Sequence, residues 1–351
     1  MTSRLPPKIV VIGAGVNGLA CAVCIQKSCP EAQVQVVAET FSPHTTSDGS
    51  AGFWRPFVSN QQDAELLLNL CQTTHGYLSD LASSPLAGDV GVQMLSGYQL
   101  SADLTESHED HIVKSVVKGW RTLIPEELAR FPMAKSGYFY TSVQVDVTQY
   151  LQWLMKKFLE NGGSVCSRKV SSLSEFAGQC DLVINCCGLG GKDLLKDDQV
   201  TPTRGQVWRV HAPWIKHFYM FKPNPGLQST YVLPGVSNIV VGGTIEPGNW
   251  RTDVNEEDSI SIWKRAQELL PQIARATPIR AWAGLRPSRT ALRLEPEVLE
   301  SDGKKLKVIH NYGHGGSGVT LHWGCAIEVT KLALESLDSP TASIQQIKSR
   351  L

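Results

Sequence analysis

Apolar positions along this chain change period several times, and each change predicts an element. Lys8–Ile12 (KIVVI) is a β-branched run of strand length, residues 19–29 (LACAVCIQKSC) suit a helix stopped by Pro30, and Gln33–Ala38 (QVQVVA) reads as a second strand. Residues 64–81 carry apolar side chains at three- and four-residue spacing. So do residues 148–160 (TQYLQWLMKKFLE), with Asp146 or Thr148 as N-cap and Gly162 and Gly163 as the stop. Residues 90–100, 164–170 and 181–188 are strand candidates, and 125–132 is a short helix opened and closed by proline. From Gly205 the texture alternates: GQVWRVHA, TYVLPG and NIVVGGTI are separated by proline and glycine turns, as in an antiparallel sheet. Helical pattern returns at 257–270 and 321–337.

The turn after the first strand is GAGVNG, which puts Gly13, Gly15 and Gly18 in the G-x-G-x-x-G spacing. The first glycine makes a tight turn, the second lets backbone approach a pyrophosphate, and the third lets helix and strand pack closely. Free amides at the helix start then face the phosphates. Glu39 closes the second strand about 20 residues later, where an acid binds ribose hydroxyls, so strand, glycines, helix, strand and acid stand in the order of a dinucleotide site. Glycines 188, 190 and 191 end another strand, so a later segment returns to the same sheet and the domains interweave. The fold class expected is α/β, a Rossmann-like domain on a parallel sheet interwoven with a substrate domain on an antiparallel sheet.

With 351 residues, 42% of them hydrophobic, the chain has material for a large core. Lys plus Arg and Asp plus Glu number 33 each, so no net field gathers nucleic acid or an anionic membrane, and small molecules are the expected partners. Nine cysteines without framework spacing fit a reducing compartment, and Cys21 and Cys24 read as packed apolar residues rather than a redox pair. The apolar run 9–25 contains Asn17 and three glycines, too broken for a membrane span. His310, His314 and His322 raise the question of a metal, but His310 and His314 flank a glycine-dense turn with no acid or cysteine near them in sequence, and no metal is expected.

VVIGAGVNGLA, TTSDGSAGFW, LSGYQL, VINCCGLG, GLRPSR and HNYGHGGSGVTLHWG occur in that order over almost the whole chain, which resembles the flavin-dependent D-amino-acid oxidases, including their D-aspartate oxidase branch. The resemblance implies FAD as cofactor. It implies an FAD-binding domain over 1–55, 146–195 and 287–351, a substrate domain over 56–145 and 196–286, and a lid over 219–230. It assigns cofactor contacts to Gly13, Gly15, Val16, Gly18 and Glu39, to Thr46, Ser47, Ala51, Gly52 and Phe53, and to Val170, Cys187 and Gly188. Gly315, Gly316, Ser317, Gly318, Val319 and Thr320 are to run along the flavin ring, with the Thr320 hydroxyl as an added donor.

On the same resemblance Arg286 pairs the α-carboxylate of a D-amino acid, Tyr231 adds a hydrogen bond to it, and the carbonyl of Gly316 orients the neutral amine. Hydride moves from Cα to the flavin, and dioxygen takes the electrons to give hydrogen peroxide, a 2-oxo acid and ammonia, with no side-chain base. Ser349, Arg350 and Leu351 resemble the serine-lysine-leucine peroxisomal address read by an import receptor, with the cytosol as the alternative location. A homo-oligomer is compatible with the sequence.

Substrate preference is where this chain departs from both branches. The aspartate branch tends to carry arginines where Met220 and Ile245 stand here, and the neutral branch has a lid tyrosine where Leu227 or Gln228 stands. Arg55 replaces a glutamine of the neutral branch. It is expected to pair a side-chain carboxylate, favouring D-aspartate or D-glutamate; if it points to solvent or to the lid, neutral D-amino acids are the alternative. Three further classes compete: an oxidase or dehydrogenase of the glycine and sarcosine type, a silent flavoprotein and a nicotinamide enzyme.

Overall fold

The computed structural model describes residues 5–57, 63–104, 108–301 and 303–337. Residues 349–351 lie outside this range. The N-terminal strand β1 (Lys8–Ile12) is followed by helix α1 (Val16–Ser28) and β2 (Gln33–Ala38), and β2 lies parallel to β1 with Ile12 opposite Val37. A long helix α2 (Ala64–Ala82) and the single-turn α3 (Ala87–Val90) lead into β3 (Val92–Ser101). Next come α4 (His108–Val116), β4 (Lys118–Thr122), α5 (Pro125–Leu128) and β5 (Ser136–Val145). Then α6 (Val147–Glu160), β6 (Ser164–Ser167), β7 (Leu182–Asn185) and α7 (Gly191–Leu194) complete the first half.

Among the described residues the second half is mostly strand: β8 (Thr201–His211), β9 (Phe218–Lys222), β10 (Thr230–Pro234), β11 (Ile239–Gly242) and the two-residue β12 (Glu246–Pro247). Helix α8 (Glu256–Leu269), strands β13 (Thr277–Ser301) and β14 (Lys304–His314), and helix α9 (Gly318–Ser336) follow. All strands but β12 join in one sheet of order β4-β5-β3-β9-β10-β11-β8-β13-β14-β7-β1-β2-β6, with β12 on β8.

The two halves of that sheet differ as the hydrophobic patterns foretold. β14, β7, β1, β2 and β6 run parallel, and β1 and β7 are nearly continuous apolar runs because one face packs under α1 and α9 and the other against Leu173, Phe176 and Leu194. The other half is largely antiparallel, with β3 and β9 as a parallel pair inside it. One strand joins them: β13 pairs β8 over Thr277 to Ser288 and β14 over Ser288 to Ser301, with a register break after Ser288. The expected boundary at 286/287 therefore falls within a continuous strand, beside that break. Prolines 287 and 296 hid β13 from the sequence pattern, since proline usually marks a strand end.

Helix α1 is apolar all round and packs between α6 and α9, which places Cys21 and Cys24 in the core as free thiols. Helix α6 begins at Val147 after Asp146, whose carboxylate accepts from the Ser237 hydroxyl instead of capping its own helix. The expected lid 219–230 is corrected in part. Tyr219 to Lys222 belong to β9, with Tyr219 and Val232 in one core cluster, so only 223–229 form a connecting loop.

Candidate active site

One cavity of about 1010 Å³ runs from β2 to β10 across the parallel and antiparallel halves. At its first end Gly13 adopts φ +99°, and a Cβ there would stand 2.4 Å from the Cys186 carbonyl oxygen. A Cβ on Gly18 would stand 1.9 Å from the Gly13 oxygen, so both close approaches require glycine. Val16 N donates to Ser47 Oγ at 3.1 Å, and the start of α1 otherwise opens on the cavity. Asn17 Oδ1 is buried without a hydrogen-bond partner among the described residues. Glu39, Lys169 and Val170 form the outer end of this wall.

The middle is built by two turns. Asp48 is buried and accepts from Ser42 Oγ (2.6 Å), Thr45 N (2.9 Å) and Thr45 Oγ1 (2.6 Å), which fixes the turn presenting Thr46 and Ser47. Ala51, Gly52 and Phe53 continue the wall, and Cys187 and Gly188 face it from the end of β7. Burial pushes the Cys187 thiol up to about 12, so it stands as a neutral thiol and not as a nucleophile.

Gly315, Gly316, Gly318 and Val319 line the cavity at the start of α9, but Ser317 and Thr320 do not. The Ser317 hydroxyl accepts from Phe57 N and donates to Phe57 O, both at 2.8 Å, and Thr320 Oγ1 donates to Arg55 O at 2.8 Å. The Thr320 hydroxyl donates to Arg55, which corrects its expected part as a donor to the cofactor. These hydroxyls tie residues 55–57 to α9, helped by Trp54 Nε1 donating to Thr320 O at 3.2 Å.

At the far end Arg286 extends from β13 over β8. Its Nη1 donates to the carbonyls of Arg204 (3.2 Å) and Thr244 (3.3 Å). Gly205 makes room for it: a Cβ there would sit 2.2 Å from Nη1. Gly242 and Gly243 do the same for Tyr231, whose hydroxyl would meet their Cβ atoms at 2.4 and 2.7 Å. Burial raises the Tyr231 hydroxyl above its ordinary range while Arg286 draws it back, so the phenol stays protonated beside the guanidinium. Gly316 closes the triangle, its Cβ position lying 3.7 Å from Arg286 Cδ and 3.4 Å from the Phe57 ring.

Arg55 is not turned to solvent. Its side chain is 11% exposed, lines the cavity, and Nη2 donates to Asp110 Oδ1 at 3.1 Å. Gln99 Nε2 donates to the same oxygen at 2.5 Å, and Tyr140 Oη donates to Gln99 Oε1 at 2.9 Å. Arg55 Nε remains buried without a partner among the described residues, an omission worth about 1–3 kcal/mol when nothing fills it. Asp110, Gln99 and Lys222 line this end and were missed in the sequence, because no local pattern marks them.

The histidines serve structure. His310 pairs with Asn185 (3.1 Å) and Glu297 (2.7 Å), and His322 with Tyr150 (2.8 Å) and Val319 O (2.7 Å). Burial, then the nearby His322, hold His314 at about 3, so this cavity-lining histidine is neutral and too weak a base to take a proton near neutral pH.

The wall fits FAD. The glycine cradle admits a pyrophosphate, the orphaned Asn17 oxygen and open α1 amides await a polar ligand, and the volume reaches the upper range of cofactor sites. A family model described as FAD dependent oxidoreductase (DAO) matches residues 8–332. A D-aspartate oxidase of Homo sapiens is 38% identical over 328 residues, covering 93% of this chain and 95% of that protein. A D-amino acid oxidase of Dugesia ryukyuensis is 34% identical over 335 residues, covering 94% and 98%. Among solved structures, glycine oxidase from Geobacillus kaustophilus aligns with a TM-score of 0.73 at 19% identity over 96% of each chain, a likeness of fold.

Proposed function

The chain belongs to the FAD dependent oxidoreductase family, and from that membership we propose that it oxidises D-amino acids, acidic ones by preference, to 2-oxo acid, ammonia and hydrogen peroxide. The observation carrying this reading is the convergence of Arg286, Tyr231 and Gly316 at one end of a cavity whose other end is a dinucleotide cradle. Bound FAD supplies a two-electron acceptor that dioxygen re-oxidises. Arg286 binds the α-carboxylate through the guanidinium face not committed to backbone carbonyls, and Tyr231 donates its hydroxyl to the same group. The Gly316 carbonyl accepts from the substrate amine, and Phe57 covers the site from the side of α9. These groups fix Cα in place; with His314 neutral, rate comes from positioning and not from a side-chain base.

The acidic preference draws on the D-aspartate oxidase relative and on Arg55, a buried cation with an unfilled Nε donor at the cavity wall. Ser349, Arg350 and Leu351 are proposed as a peroxisomal address, consistent with peroxide as a product. Mixing the FAD-loaded protein with D-aspartate in the absence of oxygen tests the reaction. Bleaching of the oxidised flavin with formation of the 2-oxo acid supports it, and equal bleaching by L-aspartate, or none by any D-amino acid, refutes it.

A further inference from the structure

Resting on the reading of this cavity as a D-amino-acid site, we propose that Lys222 is its acidic-substrate determinant, holding the second carboxylate from the outer row of the cavity floor. The floor is a patch of sheet whose register is known strand by strand. Ser101 lies opposite Ser136 on β5 and Lys222 on β9, while Gln99 lies opposite Tyr138 and Met220. Met220 in turn lies opposite Tyr231 on β10.

Side chains two apart on a strand share a face. Phe218 and Met220 pack with Phe53 and Tyr231, whereas Tyr219 and Phe221 pack in the core on the other face. Lys222 therefore shares the Met220 face. Two parallel rows result, an inner row of Tyr138, Gln99, Met220 and Tyr231 and an outer row of Ser136, Ser101, Lys222 and Ser229, and every one of these residues lines the cavity. The outer row sets one ammonium beside the hydroxyls of Ser101 and Ser229, while the Ser136 hydroxyl donates to the Asp103 carbonyl, and the remaining donors suit a carboxylate.

Charge balance assigns Lys222 a part that Arg55 cannot fill alone. Arg55 is already matched by Asp110, so that pair adds no net charge, although Nε still offers a hydrogen bond. Two cations then remain at this end of the cavity: Arg286, bound to carbonyl oxygens and the Tyr231 hydroxyl, and Lys222; neither makes an ion pair among the described residues. Two cations match the two carboxylates of D-aspartate or D-glutamate. With a monocarboxylate substrate the Lys222 charge stays unmatched. Met220, beside Tyr231, contributes an apolar surface between the two charges.

The test compares ligands of one length that differ by a single carboxylate. Binding of succinate and butyrate to the FAD-loaded protein is followed by perturbation of the flavin spectrum, and kcat/KM is measured for D-glutamate and D-norvaline. The proposal expects Lys222→Met to lower the succinate-to-butyrate affinity ratio and the D-glutamate-to-D-norvaline ratio at least ten-fold. Lys222→Arg should restore most of both. Ratios in Lys222→Met within two-fold of the parent protein, or a ten-fold loss in Arg55→Gln with none in Lys222→Met, overturn it. If the parent protein oxidises no D-amino acid at all, the function proposed above fails instead, and the two failures are told apart in the same assay.

Discussion

Gly205 lies beneath the guanidinium of Arg286, so closely that a β-carbon at position 205 would stand 2.2 Å from Nη1 and 2.3 Å from Nη2. The clash would be with the far end of a flexible side chain and not with backbone. Gly205→Ala should therefore leave folding and flavin content intact while pushing Arg286 off its position, lowering kcat/KM for D-amino acids about 100-fold. Steady-state kinetics beside the flavin absorbance of the purified variant would check both halves.

Tyr231 presents its hydroxyl to Arg286 in a space made by Gly242 and Gly243. Tyr231→Phe keeps the ring and removes one hydrogen bond worth about 1 kcal/mol. KM for the substrate should rise about five-fold with kcat less affected, as for loss of a contact made equally in ground and transition states. A fall in kcat with unchanged KM would place the hydroxyl in the chemical step instead.

At the other end of the cavity Gly13 combines φ +99° with a Cys186 carbonyl 2.4 Å from its Cβ position. Both obstacles are backbone, so Gly13→Ala cannot be absorbed by a side chain. The variant should purify with little flavin and a lowered Tm, and added FAD should restore little of either.

Ser317 secures both the N–H and the C=O of Phe57 with one hydroxyl. Ser317→Ala should keep the flavin, since the side chain does not line the cavity, yet raise KM several-fold by releasing the segment that carries Arg55 and Phe57. Flavin loss without a change in KM would show that the Ser317 side chain serves the cofactor and not the segment.

His314 and His322 are held at about 3 and about 4 by burial, against an ordinary 6.5. Between those values the unfolded chain binds more protons than the folded one, so stability is full above pH 6.5 and is lost as pH falls through that window. By about pH 5 each histidine should have cost about 2 kcal/mol. Thermal unfolding should show Tm dropping from neutral to mildly acidic pH, and His322→Gln should flatten that slope, since the glutamine amide can still meet Tyr150.

How much of this was legible in the sequence follows the range of each signal. Gly13, Gly15, Gly18 and Glu39 were readable because a strand, a turn and a helix start lie within one short stretch and each glycine has a local reason. Arg286 and Tyr231 were reachable only through family resemblance, since an arginine or a tyrosine in a strand has many uses. Asp110 was invisible: the apolar residues of its short helix, Ile112, Val113 and Val116, all follow it, and it meets Arg55 across 55 positions of chain. Lys222 was hidden by Pro223 and Pro225, whose neighbourhood reads as loop although β9 runs up to it. The Thr320 hydroxyl was misread because a hydroxyl beside a glycine loop looks like a ligand contact, whereas here it bonds the Arg55 carbonyl of the segment packed against α9.

Oxygen consumption by the FAD-loaded protein, measured with D-aspartate, D-glutamate, D-alanine, D-methionine, glycine and L-aspartate, tests the central claim most directly. The account predicts fastest turnover with the two D-dicarboxylates, slower turnover with D-alanine and D-methionine, and none with L-aspartate. Faster turnover of D-alanine or D-methionine would contradict the acidic preference, and turnover of glycine above every D-amino acid would contradict the substrate class itself.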